Sequence, residues 1–242
     1  MRFFDAISSF FSKYLFNTKW RCVNCDREIF GEEYFCEKCK AQLPYNDKAY
    51  CQHCGRKLKI AREYCTTCKG RLVSVDKARS VYNYEEPINL LIQRLKYNNR
   101  RYLVEPFAQD MANIYYKNYF NADGVVFIPM TYKSYRKRGY NQSEELAKEF
   151  CKITGLELLY CLEKVKETSR QATLNRTERQ KNLKTAFRVV DRKLVKGKKI
   201  LIIDDVTTTG ATSEAVAERL KRAKAKAVFL ISVASVPPKD GY

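Results

Sequence analysis

Eight cysteines form the most specific chemical pattern in the chain. They occur as four Cys-x-x-Cys pairs, and the last two pairs repeat the first two after 29 residues. The cysteines are Cys22, Cys25, Cys36 and Cys39, followed by Cys51, Cys54, Cys65 and Cys68. Two such turns place four sulfurs around a tetrahedral zinc ion at about 2.3 Å. The exact repeat therefore predicts two copies of one small unit, each with a structural four-cysteine zinc site.

Zinc is favoured over disulfides and over redox chemistry. The chain begins without an export signal, and disulfides form mainly in exported proteins. A redox-active Cys-x-x-Cys pair usually has a thioredoxin-like setting, which this pattern lacks. The sequence leaves open whether successive or interleaved pairs share a metal, although the repeat favours successive pairs. Since each unit is too short for a core of its own, we expect zinc chelation to unfold residues 22–68 and to spare the C-terminal domain.

A second candidate site follows an apolar stretch near the C-terminus. Residues 199–203 are apolar after the first lysine, and Asp204 and Asp205 come next, before a threonine-rich turn. In an open α/β sheet, ligands bind at the carboxyl ends of the strands. Amides at the start of the following helix, with the threonine hydroxyls, suit a phosphate, and Gly210 allows close backbone approach. Two adjacent carboxylates suit sugar hydroxyls or a metal ion.

The elements around this segment alternate between strands and helices. We predict strands at residues 78–84, 123–129, 199–204 and 227–234, and helices at residues 87–96, 144–151 and 213–224. This order predicts an α/β fold, a mostly parallel sheet with helices on both faces. The predicted domains are an amphipathic N-terminal helix (1–20), a double zinc ribbon with both cysteine sites (21–75) and the α/β domain (76–242).

The run from Lys199 to Thr212 resembles the signature of type I phosphoribosyltransferases, which bind 5-phosphoribosyl 1-pyrophosphate (PRPP) with magnesium. This resemblance implies a phosphoribosyltransferase-like domain in which Asp204 and Asp205 contact the ribose hydroxyls. It also implies that residues 207–212 surround the 5-phosphate. The implied PRPP-binding residues are Asp204, Asp205, Val206, Thr207, Thr208, Thr209, Gly210, Ala211 and Thr212.

Other segments narrow the resemblance to one family. Together with the cysteines, several short segments are similar to those of the amidophosphoribosyltransferase-like ComF competence proteins. These segments are Leu95-Lys96-Tyr97, Ile128-Pro129-Met130 and residues 135–143, 170–174 and 179–183. The similarity covers residues 22 to about 234, although Thr207 stands where many relatives carry an apolar residue. Members of the family are implicated in handling single-stranded DNA during natural transformation, alongside a helicase-like partner. The resemblance therefore implies a cytoplasmic DNA-uptake factor that binds single-stranded DNA and PRPP.

The charge of the chain also favours a polyanionic partner. Its 46 Lys and Arg outnumber 27 Asp and Glu, which gives a formal net charge of +19. Two zinc ions on eight thiolates would lower this to about +15. Basic residues and tyrosines interleave in residues 132–140, a pattern that suits single-stranded nucleic acid, although the same groups could hold pyrophosphate or form a solvated surface. The candidate contacts are Lys96, Lys133, Arg136, Lys137, Arg138, Arg170 and Arg179.

The sequence leaves a second function open, a magnesium-dependent phosphoribosyltransferase acting on an unknown nitrogen acceptor. It identifies no catalytic residue and no nucleobase pocket, and it is silent on oligomeric state. A stretch of about 18 apolar residues, as needed to span a membrane, is absent from the sequence. The helix predicted at residues 1–20 carries its apolar residues on one face, which could pack on the protein itself, on a dimer partner or on a membrane surface.

Overall fold

The structure is a computed structural model and describes residues 21–31, 33–69, 74–166, 183 and 185–238. The chain divides into two compact units, Met1–Leu43 and Pro44–Tyr242. The second cysteine group therefore lies in the same compact unit as the strands and helices that follow it. The helix predicted at residues 1–20, Arg170 and Arg179 lie outside the described residues, and the predicted domain borders remain predictions.

The two cysteine groups share one local backbone structure. In the first unit, the Cys22 amide donates to the Arg27 carbonyl at 2.8 Å, and a short helix, α1 (Glu37–Ala41), follows. In the second unit, the Cys51 amide donates to the Arg56 carbonyl at 3.0 Å. These hydrogen bonds are separated by the same 29 residues as the cysteines. The sequence repeat is thus also a structural repeat.

A four-stranded parallel sheet forms the centre of the second unit. Its strands lie in the order β1-β6-β5-β2, and a separate antiparallel pair is formed by β3 and β4. The strands are β1 (Lys77–Asn83), β2 (Gly124–Phe127), β3 (Leu162–Lys164), β4 (Phe187–Val189), β5 (Lys199–Thr207) and β6 (Ala227–Ser235). The helices are α2 (Ile88–Tyr97), α3 (Val104–Lys117), α4 (Tyr132–Arg138), α5 (Gln142–Thr154) and α6 (Ala211–Arg222).

Helices cover both faces of this sheet. Alternate residues of β5, Ile200 and Ile202, pack in one core with Val216 and Leu220 of α6. Because neighbouring residues of a strand point to opposite faces, Leu201 belongs to the other face, where α3 and α5 contact the sheet. Both faces of β5 are therefore buried, which explains its continuous apolar sequence. The fold class predicted from the sequence is confirmed.

Helix α3 was not predicted. Its buried residues, Phe107, Ala108, Met111, Ala112 and Tyr115, follow the spacing of one helical face. Pro106 lies in its first turn, where the missing amide hydrogen costs no intrahelical bond. None of the helices in the described ranges has the length and hydrophobicity needed to cross a membrane.

Candidate functional site

Both cysteine groups have the geometry of four-coordinate zinc sites. In each group of successive pairs, the four Sγ atoms lie within 4.8 Å of one another. The Sγ atoms of Cys25 and Cys36 are 3.7 Å apart, and so are those of Cys54 and Cys65. Sulfurs around a tetrahedral zinc ion are separated by about 3.8 Å. The donor sets therefore fit zinc, and the predicted pairing of successive Cys-x-x-Cys turns matches these groups.

The thiols of the first group differ in pKa. Burial raises the pKa of the Cys39 thiol to about 12, whereas at Cys22 the effect of burial is outweighed by hydrogen bonds from backbone amides, which lower the pKa to about 7. A zinc ion binds the thiolate form of each cysteine. With all four positions taken by cysteine, both sites are structural.

The second cysteine group packs directly on the sheet. The His53 carbonyl accepts from the Ala78 amide of β1 at 2.8 Å, and Asn46 donates to the Ser80 hydroxyl at 2.8 Å. Gly55 has a φ of +70°, and a Cβ atom there would lie 2.6 Å from the Ala78 carbonyl oxygen. Only glycine allows this close approach. The second zinc site is thus part of the surface that supports β1.

Two buried carboxylates lie near the carboxyl end of β5. Asp204 and Asp205 are 8% and 4% exposed. The Ser143 hydroxyl of α5 donates to Oδ1 of Asp204 at 3.1 Å, and Nζ of Lys96 in α2 lies 2.5 Å from Oδ2 of Asp205. Among the described residues, Oδ2 of Asp205 has no hydrogen-bond partner besides this ion pair. Three elements distant in sequence therefore meet at one charged centre, which includes Lys96 and both predicted aspartates.

The pKa values of two ionisable groups in this centre, Asp204 and Lys96, are both raised. Burial, and after it the charge of Asp205, raises the pKa of Asp204 to about 8. Burial opposes the charge of Lys96, but the carboxylates of Asp205 and Asp204 raise its pKa above the ordinary value. At neutral pH, Lys96 is thus charged and Asp204 is largely protonated. A ligand whose hydroxyls donate to Asp204 would favour its ionised form and release a proton.

The loop between β5 and α6 begins inside the sheet and ends at solvent. Thr207 is buried, and its hydroxyl donates to the Ser232 hydroxyl of β6 at 3.1 Å. Thr208 and Thr209 are exposed. Gly210, with a φ of +76°, directly precedes α6. Because a positive φ favours glycine, Gly210 suits the backbone conformation at this position of the predicted phosphate loop.

The predicted basic contacts divide into two groups. Lys133, Arg136 and Lys137 of α4 are exposed and available to a polyanion. Arg138 is half-buried, where it donates to Gln142 and lies 5.2 Å from the centre of the Tyr97 ring. Arg138 therefore contacts α2, the helix that carries Lys96, and is less available to a polyanion than the exposed basic residues of α4.

Two residues at the site were not predicted from the sequence. Ser143 follows the Asn141 cap of α5 and contacts Asp204, a contact that depends on which helix faces β5. Arg56 donates from Nη1 to the Thr208 carbonyl at 3.3 Å, across 152 positions of sequence. The repeat gave no signal for it, because the first repeat has an arginine, Arg27, at the equivalent position.

Comparison with known families agrees with this geometry. Residues 109–240, more than half of the chain, match the model of the phosphoribosyl transferase domain. The chain belongs to the phosphoribosyl transferase domain family. Residues 12–69 match the model of the double zinc ribbon domain. The phosphoribosyl transferase domain therefore includes β5, the carboxylates and the loop before α6, and the zinc ribbon covers both cysteine groups.

Curated relatives share this region at moderate identity. The DNA utilization protein YhgH from Salmonella typhi is 30% identical over 153 residues, which cover 59% of this chain and 65% of that protein. The competence protein ComFC from Streptococcus pneumoniae is 32% identical over 157 residues, 64% of this chain and 66% of that protein. The match thus spans about two thirds of the length of each relative. The similarity to ComF-type proteins predicted from the sequence is confirmed.

Solved structures overlap with the phosphoribosyl transferase domain in part. The glutamine PRPP amidotransferase from B. subtilis is 20% identical and superimposes with a TM-score of 0.39, over 54% of this chain and 26% of that one. A hypoxanthine phosphoribosyltransferase from Staphylococcus aureus is 15% identical with a TM-score of 0.34, over 55% of this chain and 62% of that one. Similarity at this level carries no argument about function.

Proposed function

We propose that the protein is a DNA-handling factor of natural transformation that binds single-stranded DNA and the magnesium complex of PRPP. The observation that carries the proposal is the meeting of Asp204, Asp205 and Lys96 beside the loop that leads into α6. The names of the relatives, competence protein and DNA utilization protein, support the DNA-related part. The phosphoribosyl transferase match supports the ligand.

The proposed ligand fits the chemistry of this edge. Ribose hydroxyls donate to the carboxylates of Asp204 and Asp205, and the 5-phosphate accepts from the backbone amides of residues 208–212. Magnesium, bound to the pyrophosphate oxygens, offsets the remaining negative charge of the ligand. The ammonium of Lys96, 2.5 Å from Oδ2 of Asp205, offsets part of the negative charge that the two carboxylates present to the ligand.

Single-stranded DNA would bind along α4, which lies at the same edge. Since α4 follows β2, and β2 pairs in parallel with β5, its residues lie near the carboxyl ends of both strands. Tyr132 and Tyr135 are 75% and 44% exposed beside the basic residues, and the Arg136 guanidinium lies 5.9 Å from the centre of the Tyr132 ring. Exposed rings stack with bases, and the cations contact phosphates.

Replacing Lys133 and Lys137 together with glutamine is expected to weaken single-stranded DNA binding equally for all sequences. Each lost phosphate contact lowers the slope of log affinity against log salt by about 0.7 for single strands, so the pair should lower it by about 1.4. The measurement is fluorescence anisotropy across a salt series. A matched control replaces Lys193 and Lys196, which are exposed before the start of β5, at the opposite edge of the sheet. Equal effects of the two pairs would mean that binding follows net charge and has no site at α4.

A magnesium-dependent phosphoribosyltransferase is the second candidate function, and the match to the phosphoribosyl transferase domain favours it. In that reaction a nitrogen nucleophile bonds to C1 of the ribose while pyrophosphate leaves with the electron pair of the broken C–O bond. Pyrophosphate release from PRPP that requires an added nitrogen acceptor would distinguish turnover from ligand binding alone.

A further inference from the structure

One buried arginine joins the second cysteine group to the candidate phosphate loop. Arg56 is 5% exposed. Its Nε donates to Sγ of Cys54 at 3.5 Å, and its Nη2 lies 4.0 Å from Sγ of Cys65. Its third nitrogen, Nη1, donates to the Thr208 carbonyl at 3.3 Å. A single guanidinium therefore contacts two zinc-ligand sulfurs and the backbone of the loop.

The charge of the zinc site explains why this arginine is buried. Four thiolates around one Zn²⁺ carry a formal charge of about −2, and a guanidinium beside them offsets half of it. The planar guanidinium holds its nitrogens in a fixed fork. With Nε and Nη2 directed at the sulfurs of Cys54 and Cys65, Nη1 can only point toward Thr208. The contacts with the zinc-ligand sulfurs thus fix the direction in which Nη1 donates to the loop.

The contact with Thr208 sets the orientation of the peptide group that follows it. The Thr208–Thr209 peptide bond is trans, since the only cis bond in the described residues is Glu86–Pro87. In a trans peptide the carbonyl and the amide hydrogen point in opposite directions. A Thr208 carbonyl held toward Arg56 therefore directs the Thr209 amide away from the zinc site. Amides in this position, just before the helix N-terminus, are the ones available to a phosphate.

Comparison of the two repeats gives an independent indication. Arg27 and Asp26 of the first repeat are the equivalents of Arg56 and Gly55, and both are exposed. Asp26 has nearly the same backbone conformation as Gly55, with φ values of +59° and +70°. The turn itself therefore accepts a side chain, and the glycine in the second repeat serves the contact with β1. Both repeats carry an arginine at the next position, but it is exposed in the first repeat and buried in the second, where the repeat meets the domain that carries the loop.

We propose that Arg56 is a positioning residue through which the second zinc site holds the backbone of residues 208–210 in its ligand-binding conformation. Its effect on ligand affinity rests on the proposed function. The ordering of the loop does not, because it is a property of the protein without ligand.

The test compares the full-length, zinc-loaded protein with Arg56→Gln and with Arg27→Gln, which makes the same change at the equivalent position of the first repeat. Hydrogen exchange, followed by mass spectrometry, reports the order of residues 207–212. We expect these amides to exchange at least about tenfold faster in Arg56→Gln than in the wild type, and Arg27→Gln to behave as the wild type. Affinity for magnesium PRPP, measured by calorimetry, should fall about tenfold in Arg56→Gln alone.

Each outcome separates the inference from the proposed function. Unchanged exchange of the loop in Arg56→Gln would overturn the positioning role, whatever the ligand is. Faster exchange in a protein whose wild type binds no PRPP would leave the positioning role standing and refute the proposed ligand. If Arg56→Gln loses zinc, Arg56→Lys keeps the positive charge beside the sulfurs, but its single ammonium cannot replace the fork. A zinc-loaded Arg56→Lys variant whose loop exchanges as slowly as that of the wild type would also overturn the inference.

Discussion

Replacing Asp204 with asparagine is expected to weaken magnesium PRPP binding strongly and to stabilise the protein above pH 8. The Asn Oδ1 can still accept from Ser143 and from the Asp205 amide, so both hydrogen bonds of Oδ1 remain. What is lost is a buried group that becomes negatively charged above about pH 8. The carboxylate that would accept ribose hydroxyls is lost with it, so affinity should fall at least about 100-fold.

The pH dependence of stability determines whether Asp204→Asn stabilises or destabilises the protein. Burial raises the pKa of Asp204 from 3.8 to about 8, so the folded state holds a proton that the unfolded state has released between these values. The contribution of this group to stability therefore falls as the pH rises from about 4 to 8. Urea unfolding should show similar stabilities for wild type and variant at pH 4. At pH 8.5 the variant should be more stable by about 1–3 kcal/mol.

A control for this prediction is Asp47→Asn, an exposed aspartate of the same unit. It should leave affinity and the pH profile unchanged. Wild-type affinity for magnesium PRPP in the Asp204 variant would show that this carboxylate does not contact the ligand.

Loss of the second zinc site is expected to destabilise the whole second unit, whereas loss of the first should not. Cys54 belongs to the site that packs on β1 and contacts Arg56, and Cys25 belongs to the separate first unit. Structural zinc contributes several kcal/mol of folding free energy, so Cys54→Ser should lower the stability of β5 and β6 by on the order of 5 kcal/mol. Hydrogen exchange of peptides from these strands in the full-length protein, with zinc content measured on the same samples, provides the readout.

The equivalent substitution in the first repeat, Cys25→Ser, is the matched control. It should release one zinc ion and leave exchange in β5 and β6 as in the wild type. If Cys54→Ser also leaves these strands protected after losing its zinc, the second site folds separately. Chelation would then unfold residues 22–68 alone, as the sequence led us to expect.

The sequence predicts most of the fold because its strongest signals are local. The buried run of β5 and the cysteine repeat each occupy a short stretch, and each fixes one element or one site. The helix α3 was missed although its apolar residues have helical spacing. The end of β5 was predicted too early, at residue 204, whereas the strand extends to Thr207. The prediction stopped where the sequence becomes polar, but the backbone pairing of β5 with β6 continues past the aspartates.

The parts of the site that escaped prediction depend on distant contacts. Lys96 was singled out from its motif, but its ion pair with Asp205 joins α2 to β5 across the sheet edge. Arg56 looked like one basic residue among many, and only the packing of the second repeat on β1 shows that it is buried. Sequence spacing carries no information about either contact, since both arise when separate elements meet.

The affinity for single-stranded DNA tests most directly whether the carboxylate site and DNA binding belong to one function. It is measured by fluorescence anisotropy across a salt series, with and without magnesium PRPP. We expect binding that persists at physiological salt and shifts when the ligand is added, with the shift absent in Asp204→Asn. Ligand and DNA would then be energetically coupled. Binding that collapses with salt and ignores the ligand would contradict this. DNA affinity would in that case follow from net charge alone, and a nitrogen acceptor for a phosphoribosyl transfer reaction would be the next object of search.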